Sequence, residues 1–118
     1  MAKILIIEDT FDVAEIIGHN LVLNFHEVEV AHTFQSAFKK FIAFAPDLVI
    51  IDICLELDNT DGRELCKEIR SFNKGVPVIL MSGYDDLLKD CELYGANDTI
   101  KKPFDIKDLL IKIDRLVK

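Results

Sequence analysis

The chain predicts an α/β fold, a doubly wound parallel sheet of five strands with helices on both faces, and three observations carry that prediction. Ile4-Leu5-Ile6-Ile7, Leu48-Val49-Ile50-Ile51 and Val76-Pro77-Val78-Ile79-Leu80-Met81 are short and almost continuously apolar, as strands covered on both faces must be. Val28-Glu29-Val30-Ala31 alternates and Asn97-Asp98-Thr99-Ile100 is polar, which suits partly covered edge strands. Segments of helical period separate these runs, and such alternation implies parallel pairing through right-handed crossovers.

Taken in order, the first strand runs through Glu8-Asp9 into a helix whose apolar stripe is Val13, Ile16, Ile17 and Leu21. The second helix carries Phe34, Ala37, Phe38, Phe41 and Ile42, a spacing for core packing and not for a stacking platform; the third carries Leu65, Ile69 and Phe72. Leu87, Leu88 and Cys91 mark the fourth, and Ile106, Leu109, Leu110, Ile113 and Val117 the last, which is expected to run to Lys118. Each stripe is a face for packing on a sheet. With the two polar strands at the edges, the order is flavodoxin-like, 2-1-3-4-5.

At 118 residues the chain is expected to form one domain, 1–118. A net charge of −7 repels phosphate backbones, so a protein or a cation is expected as partner and direct nucleic-acid binding is not. Cys54, Cys66 and Cys91 are odd in number and contain no C-x-x-C pair, so they read as reduced, ordinary residues. The chain enters its first strand without a signal peptide and has no apolar run of membrane-spanning length, from which a cytoplasmic location without membrane contact is expected.

In open sheets of this kind ligands bind outside the carboxyl ends of the strands. There the first strand ends in Glu8-Asp9 and the third in Asp52. Three neighbouring carboxylates repel and are costly to bury, so the cluster calls for a shared proton or a cation. Mg2+ is the simplest choice, a hard ion that takes oxygen ligands and keeps several waters. The fourth strand ends in Ser82-Gly83, a hydroxyl and an approachable amide, either able to bind a phosphoryl oxygen; after the fifth comes Lys102 before Pro103-Phe104, a counter-charge for an anion. The set suits phosphoryl transfer, with Asp52 left as the nucleophile.

Glu8-Asp9, Asp52, Ser82-Gly83 and Lys102-Pro103-Phe104, each at a strand end and in this order, resemble the receiver domain of two-component response regulators over essentially the whole chain. The resemblance implies that Asp52 accepts a phosphoryl group from a phosphohistidine on a sensor histidine kinase or histidine phosphotransfer protein. Asp9, Asp52 and the backbone carbonyl of Cys54 would coordinate Mg2+, with Glu8 acting largely through water. Ser82 would bind the transferred phosphoryl oxygen, Lys102 would pair with the phosphorylated carboxylate, and Lys102–Pro103 is a candidate cis peptide. The domain would catalyse only its own phosphorylation and slow dephosphorylation, switching a surface for a downstream effector protein or output domain. Whether it stands alone or belongs to a longer regulator, the residues do not distinguish.

Three positions depart from the family's habit. Thr99 stands where an aromatic residue commonly lies three positions before the lysine, so the signal is expected to travel through Ser82 and the Gly83–Leu88 stretch. The loop from Ile53 to Gly62 is about two residues longer and places Glu56 where a proline is frequent; Glu56 and Asp58 read as solvated, with tuning of metal affinity at the pocket mouth as the alternative. Tyr84, two residues after Ser82, is placed to shield the phosphoryl group from water. His19, His26 and His32 lack metal-ligand spacing and read as surface residues away from the pocket. The stretch Asp85 to Tyr94, with the edge strand before Thr99 and the last helix, is the face where this family usually meets partners.

Other functions fit less well. A flavin or nucleotide site needs a small-residue phosphate loop after the first strand, where this chain has Glu-Asp-Thr-Phe-Asp. An aspartyl phosphohydrolase needs a second acid two residues after its nucleophile, where this chain has Cys54. A degenerate receiver acting only by protein contact is the remaining alternative, against which the intact acids, Ser82 and Lys102 argue.

Overall fold

A computed structural model describes residues 1–117. Among them the expected sheet is present, five parallel strands in the order β2-β1-β3-β6-β7, made of β1 (Lys3–Ile7), β2 (Glu27–Ala31), β3 (Leu48–Asp52), β6 (Val78–Ser82) and β7 (Asp98–Lys101). The first-to-fifth order is the flavodoxin-like one. A short antiparallel ribbon, β4 (Cys54–Leu55) with β5 (Thr60–Asp61), lies between β3 and β6 in the chain. Helices α1 (Phe11–Leu23), α2 (Phe34–Phe44), α3 (Gly62–Phe72), α4 (Asp85–Leu88) and α5 (Ile106–Leu116) complete the fold.

Successive side chains of a strand point to opposite faces, and the core divides accordingly. Leu5, Ile7, Val49, Ile51, Val78 and Leu80 pack with Ala37, Phe41, Leu65 and Ile69 of α2 and α3. Ile4, Ile6, Leu48, Ile50, Ile79 and Met81 pack with Ile17 and Leu21 of α1 and Leu109 and Ile113 of α5. β3 and β6 are buried along their whole length and β1 from Ile4 onward, while β2 alternates between exposed and half-buried positions before the buried Ala31. Register then places the site: Ile7 pairs with Ile51 and Asp52 with Met81, so Glu8 and Asp52 come level just past the last apolar pair.

Several expectations need correction. Ile16, Ile42 and Phe72, counted among the packing stripes, are exposed, although Phe72 still meets Phe38 edge to face with ring centroids 4.9 Å apart. The fourth helix is broken. α4 stops at Leu88, Lys89 is extended, Asp90 is left-handed (φ 56°), and a 3-10 turn over Cys91–Tyr94 follows. Asp tolerates the left-handed region better than most residues, and the break still delivers Leu87, Leu88 and Cys91 to the core. Gly95 (φ 95°) ends the turn under Arg70, whose guanidinium bonds the Gly95 carbonyl at 2.9 Å and Asn97 Oδ1 at 2.7 Å. α5 ends at Leu116, and Lys118, where the sequence placed its end, lies outside the described residues.

The long loop after Asp52 is ordered by the β4–β5 ribbon around a 3-10 turn, Glu56–Asp58, with Asn59 left-handed (φ 53°). Asp61 then caps α3, its carboxylate accepting from the Arg63 amide at 2.8 Å. Among the described residues no helix is long and apolar enough to cross a membrane.

Candidate functional site

The site forms at the carboxyl ends of β1, β3, β6 and β7. Glu8 and Asp52 have little contact with solvent, at 0% and 5% exposure. Lys102, carried past β7 ahead of the cis peptide to Pro103, reaches both: its ammonium lies 2.5 Å from Glu8 Oε1 and 3.1 Å from Asp52 Oδ2. The other Asp52 oxygen accepts from the Cys54 amide at 3.3 Å. Asp9 is half-buried, and its Oδ2 accepts from the Glu56 amide at 2.6 Å. One carboxylate oxygen from each of Glu8, Asp9 and Asp52 lies within 4.8 Å of the others.

These contacts set the electrostatics. Burial, together with the neighbouring Asp52, pushes the Glu8 carboxyl up to about 8 against the opposing pull of Lys102. Burial alone would lower the Lys102 ammonium, but the hydrogen bond to Glu8 and the Asp52 charge outweigh it and leave it raised. Lys102 therefore brings one positive charge to a cluster of three acids. The remaining deficit suits a divalent cation, and three carboxylates supply the hard oxygen donors that Mg2+ prefers.

Ser82 is buried, and its Oγ accepts from the Tyr84 amide at 3.0 Å. Gly83 follows on the exposed rim, where an added Cβ would meet nothing nearer than the Lys102 carbonyl oxygen at 3.9 Å. Tyr84 is also exposed at this rim. Thr99, in β7 opposite Leu80, is half-buried. Cys66 and Cys91 are buried free thiols, Cys66 pushed up to about 11 by burial, so neither is a reactive nucleophile at neutral pH. Cys54 is half-buried, and its thiol too is raised, by burial and then by the Asp52 charge.

Comparison with known proteins decides the family. The family model described as the response regulator receiver domain matches residues 4–114. The chain belongs to that family. This receiver is 35% identical over 120 residues to the response regulator ArlR of Staphylococcus saprophyticus, a match that takes in 100% of the chain and 53% of the relative. ArlR of Staphylococcus aureus is 33% identical with the same coverage. The receiver thus spans about half the length of the curated relatives it matches. Among solved structures, the receiver domain of NtrX from Brucella abortus has a TM-score of 0.90 at 30% identity, with 97% of each chain covered. The BeF3-activated N-terminal receiver domain of RstA from Klebsiella pneumoniae has a TM-score of 0.90 at 28% identity, with 98% of each covered.

Within this receiver, Glu8, Asp9 and Asp52 bring carboxylate oxygens together and Lys102 pairs with two of them, with Ser82 at the end of the neighbouring β6, but four other residues were misread or went unnoticed. His32 is no free surface residue: its Nδ1 bonds the Glu8 carbonyl at 2.8 Å and its ring stacks on Phe11. His26 Nδ1 accepts from the Ala2 amide at 3.1 Å. Asp58 is not simply solvated, since its carboxylate accepts from the Phe34 amide at the start of α2, at 2.7 Å. Gly62 packs directly under Asp52, where an added Cβ would fall 2.2 Å from the Asp52 carbonyl oxygen. The Asp-Gly pair in the sequence was the signal for Gly62; for His32 and Asp58 there was none, because both act on backbone groups distant in the chain.

Proposed function

We propose that this receiver is a working phosphoacceptor, in which Asp52 takes a phosphoryl group from a phosphohistidine on a sensor histidine kinase or histidine phosphotransfer protein. One observation supports this above the others: a buried carboxylate, Asp52, is held with one oxygen on an ammonium and the other on a backbone amide, beside two further acids. A protein that used this face only for docking would have no need to bury an ion pair whose desolvation is expensive.

The residues divide the work. An Asp52 carboxylate oxygen attacks phosphorus as the bond from phosphorus to the donor imidazole breaks, and the imidazole leaves with the bonding pair. Lys102 orients Asp52, and stays paired with the acyl phosphate that forms. The Ser82 hydroxyl and the Gly83 amide, at the end of β6, receive a phosphoryl oxygen. Asp9, Asp52 and the Cys54 carbonyl would hold Mg2+, with Glu8 contributing largely through water. When bound, the ion neutralises charge that develops on the transferred oxygens. Because Thr99 offers no aromatic ring, the signal passes from Ser82 into Gly83–Leu88, where α4 is short and is broken by extended Lys89 and left-handed Asp90. The output is a changed contact with a downstream effector protein or output domain.

Residues 1–118 act as one cytoplasmic unit in this reading, without direct contact to nucleic acid or membrane. Phosphoramidate, a small donor with the same P–N bond, tests it: with Mg2+ the parent is expected to show an acyl-phosphate signal by 31P NMR that Asp52→Asn lacks. An equal signal in Asp52→Asn would place the chemistry elsewhere.

A further inference from the structure

The pocket is closed on its α2 side by a circuit of hydrogen bonds that the phosphoacceptor residues do not explain. The Glu8 peptide is gripped from the end of β2: its N–H donates to the Ala31 carbonyl at 3.0 Å, and its own carbonyl accepts from His32 Nδ1 at 2.8 Å. A carbonyl only accepts, so Nδ1 must carry the hydrogen. The His32 ring lies flat on Phe11 at the start of α1, with centroids 3.7 Å apart and planes inclined by 8°. Two residues further on, the Phe34 amide donates to Asp58 Oδ2, and Asp58 Oδ1 accepts from Thr60 Oγ1, each at 2.7 Å. The same loop returns to the pocket through the Glu56 amide, which donates to Asp9 Oδ2. Backbone at Glu8 and side chain at Asp9 are thus held from one rim.

From this geometry we propose that His32 is a positioning residue for the cation site, a proposal that rests on the Mg2+ reading given above. His32 touches no carboxylate of the cluster; it fixes the peptide that joins Glu8 to Asp9. A rotation of that peptide moves the Asp9 carboxylate relative to Asp52 and so changes the spacing of the oxygens offered to the ion. The Phe11 stack holds the imidazole in the plane its donor needs, and Phe11, 61% exposed, has no deeper packing to serve. Partners that orient metal ligands from behind are worth 10 to 100-fold in affinity, and a link through the backbone belongs at the lower end, about tenfold.

Two substitutions separate the donor from the ring. His32→Phe keeps the stack and loses the donor; His32→Asn puts an amide N–H about where Nδ1 stands and loses the stack. Mg2+ affinity is measured by calorimetry, and the melting temperature without metal is measured alongside. His32→Phe is expected to bind Mg2+ about tenfold more weakly, while His32→Asn stays within about twofold of the parent although it melts no higher than His32→Phe. Parent-like affinity in His32→Phe, or affinity that merely follows melting temperature in both variants, overturns the proposal. If His32→Phe does not fold, His32→Asn decides alone: near-parent affinity supports the donor role, and a tenfold loss overturns it. Absence of Mg2+ binding by the parent would remove the cation reading itself, and with it this proposal.

Discussion

Replacing Gly62 by alanine drives a methyl group into the backbone of the phosphoacceptor. The added Cβ would sit 2.2 Å from the Asp52 carbonyl oxygen, 2.8 Å from Ile51 Cγ2 and 2.9 Å from the Asp52 carbonyl carbon, where ordinary contact begins at 3.4 Å. Two of those atoms are backbone of a strand buried on both faces, so relief requires a shift of about 1 Å between the start of α3 and the end of β3. The Gly62 amide also donates to the Ile53 carbonyl at 2.7 Å, a bond the shift would weaken. Overpacking costs about 1–3 kcal/mol and a weakened hydrogen bond about 1 kcal/mol, offset by less than about 1 kcal/mol of helix propensity. A net loss of about 2 kcal/mol, with roughly 0.25 kcal/mol/K of unfolding entropy for a chain of this size, lowers the melting temperature by roughly 8 °C. Misplacing the nucleophile by that distance should also slow phosphorylation of Asp52 by about 10 to 100-fold. Thermal denaturation by circular dichroism and the initial rate with acetyl phosphate and Mg2+ measure the two effects. Gly75→Ala is the control, since its Cβ would meet nothing nearer than Asn73 Oδ1 at 3.7 Å. Gly62→Ala that melts and phosphorylates like the parent would refute the reasoning.

Other outcomes follow from the same contacts. Lys102→Met removes the counter-charge of Glu8 and Asp52; the metal-free protein should lose about 1–3 kcal/mol, less than a fully charged pair would cost because Glu8 can take up a proton, and added Mg2+ should raise its melting temperature more than the parent's. An equal Mg2+ effect in both would argue against the ammonium as stand-in for the ion. Burial raises the Asp61 carboxyl, but hydrogen bonds from the Arg63 side chain and amide outweigh it and hold the group below its ordinary 3.8. Its contribution to stability is therefore complete above that value and is lost as pH falls through the lower, folded-state value. Asp61→Asn keeps a good cap and should flatten that part of the acid limb in urea titrations; parallel limbs would contradict the pairing. Tyr84→Ala, which strips the exposed ring two residues after Ser82, should speed loss of the phosphoryl group in Mg2+, and an unchanged lifetime would rule out shielding.

The central strands were legible because burial on both faces leaves only apolar residues, and the pocket was legible because acids, a hydroxyl and a lysine interrupt those runs at their carboxyl ends. The break after Leu88 was not, since Leu87, Leu88 and Cys91 keep a helical spacing whether or not Asp90 turns left-handed between them. Two-residue strands such as β4 and β5 carry no period to read. Ile16, Ile42 and Phe72 extend each apolar stripe beyond the width its neighbours cover. His32 was the least accessible of all: its partner is the carbonyl of a residue 24 positions away, and a carbonyl leaves no mark in the sequence.

Intact-mass spectrometry after incubation with acetyl phosphate, with and without Mg2+, on the parent and on Asp52→Asn, tests most directly whether the pocket is a phosphoacceptor site. One added phosphoryl group in the parent, absent without Mg2+ and absent in Asp52→Asn, is the expected result. A folded parent that gains no mass, or an Asp52→Asn variant that gains as much as the parent, would contradict it.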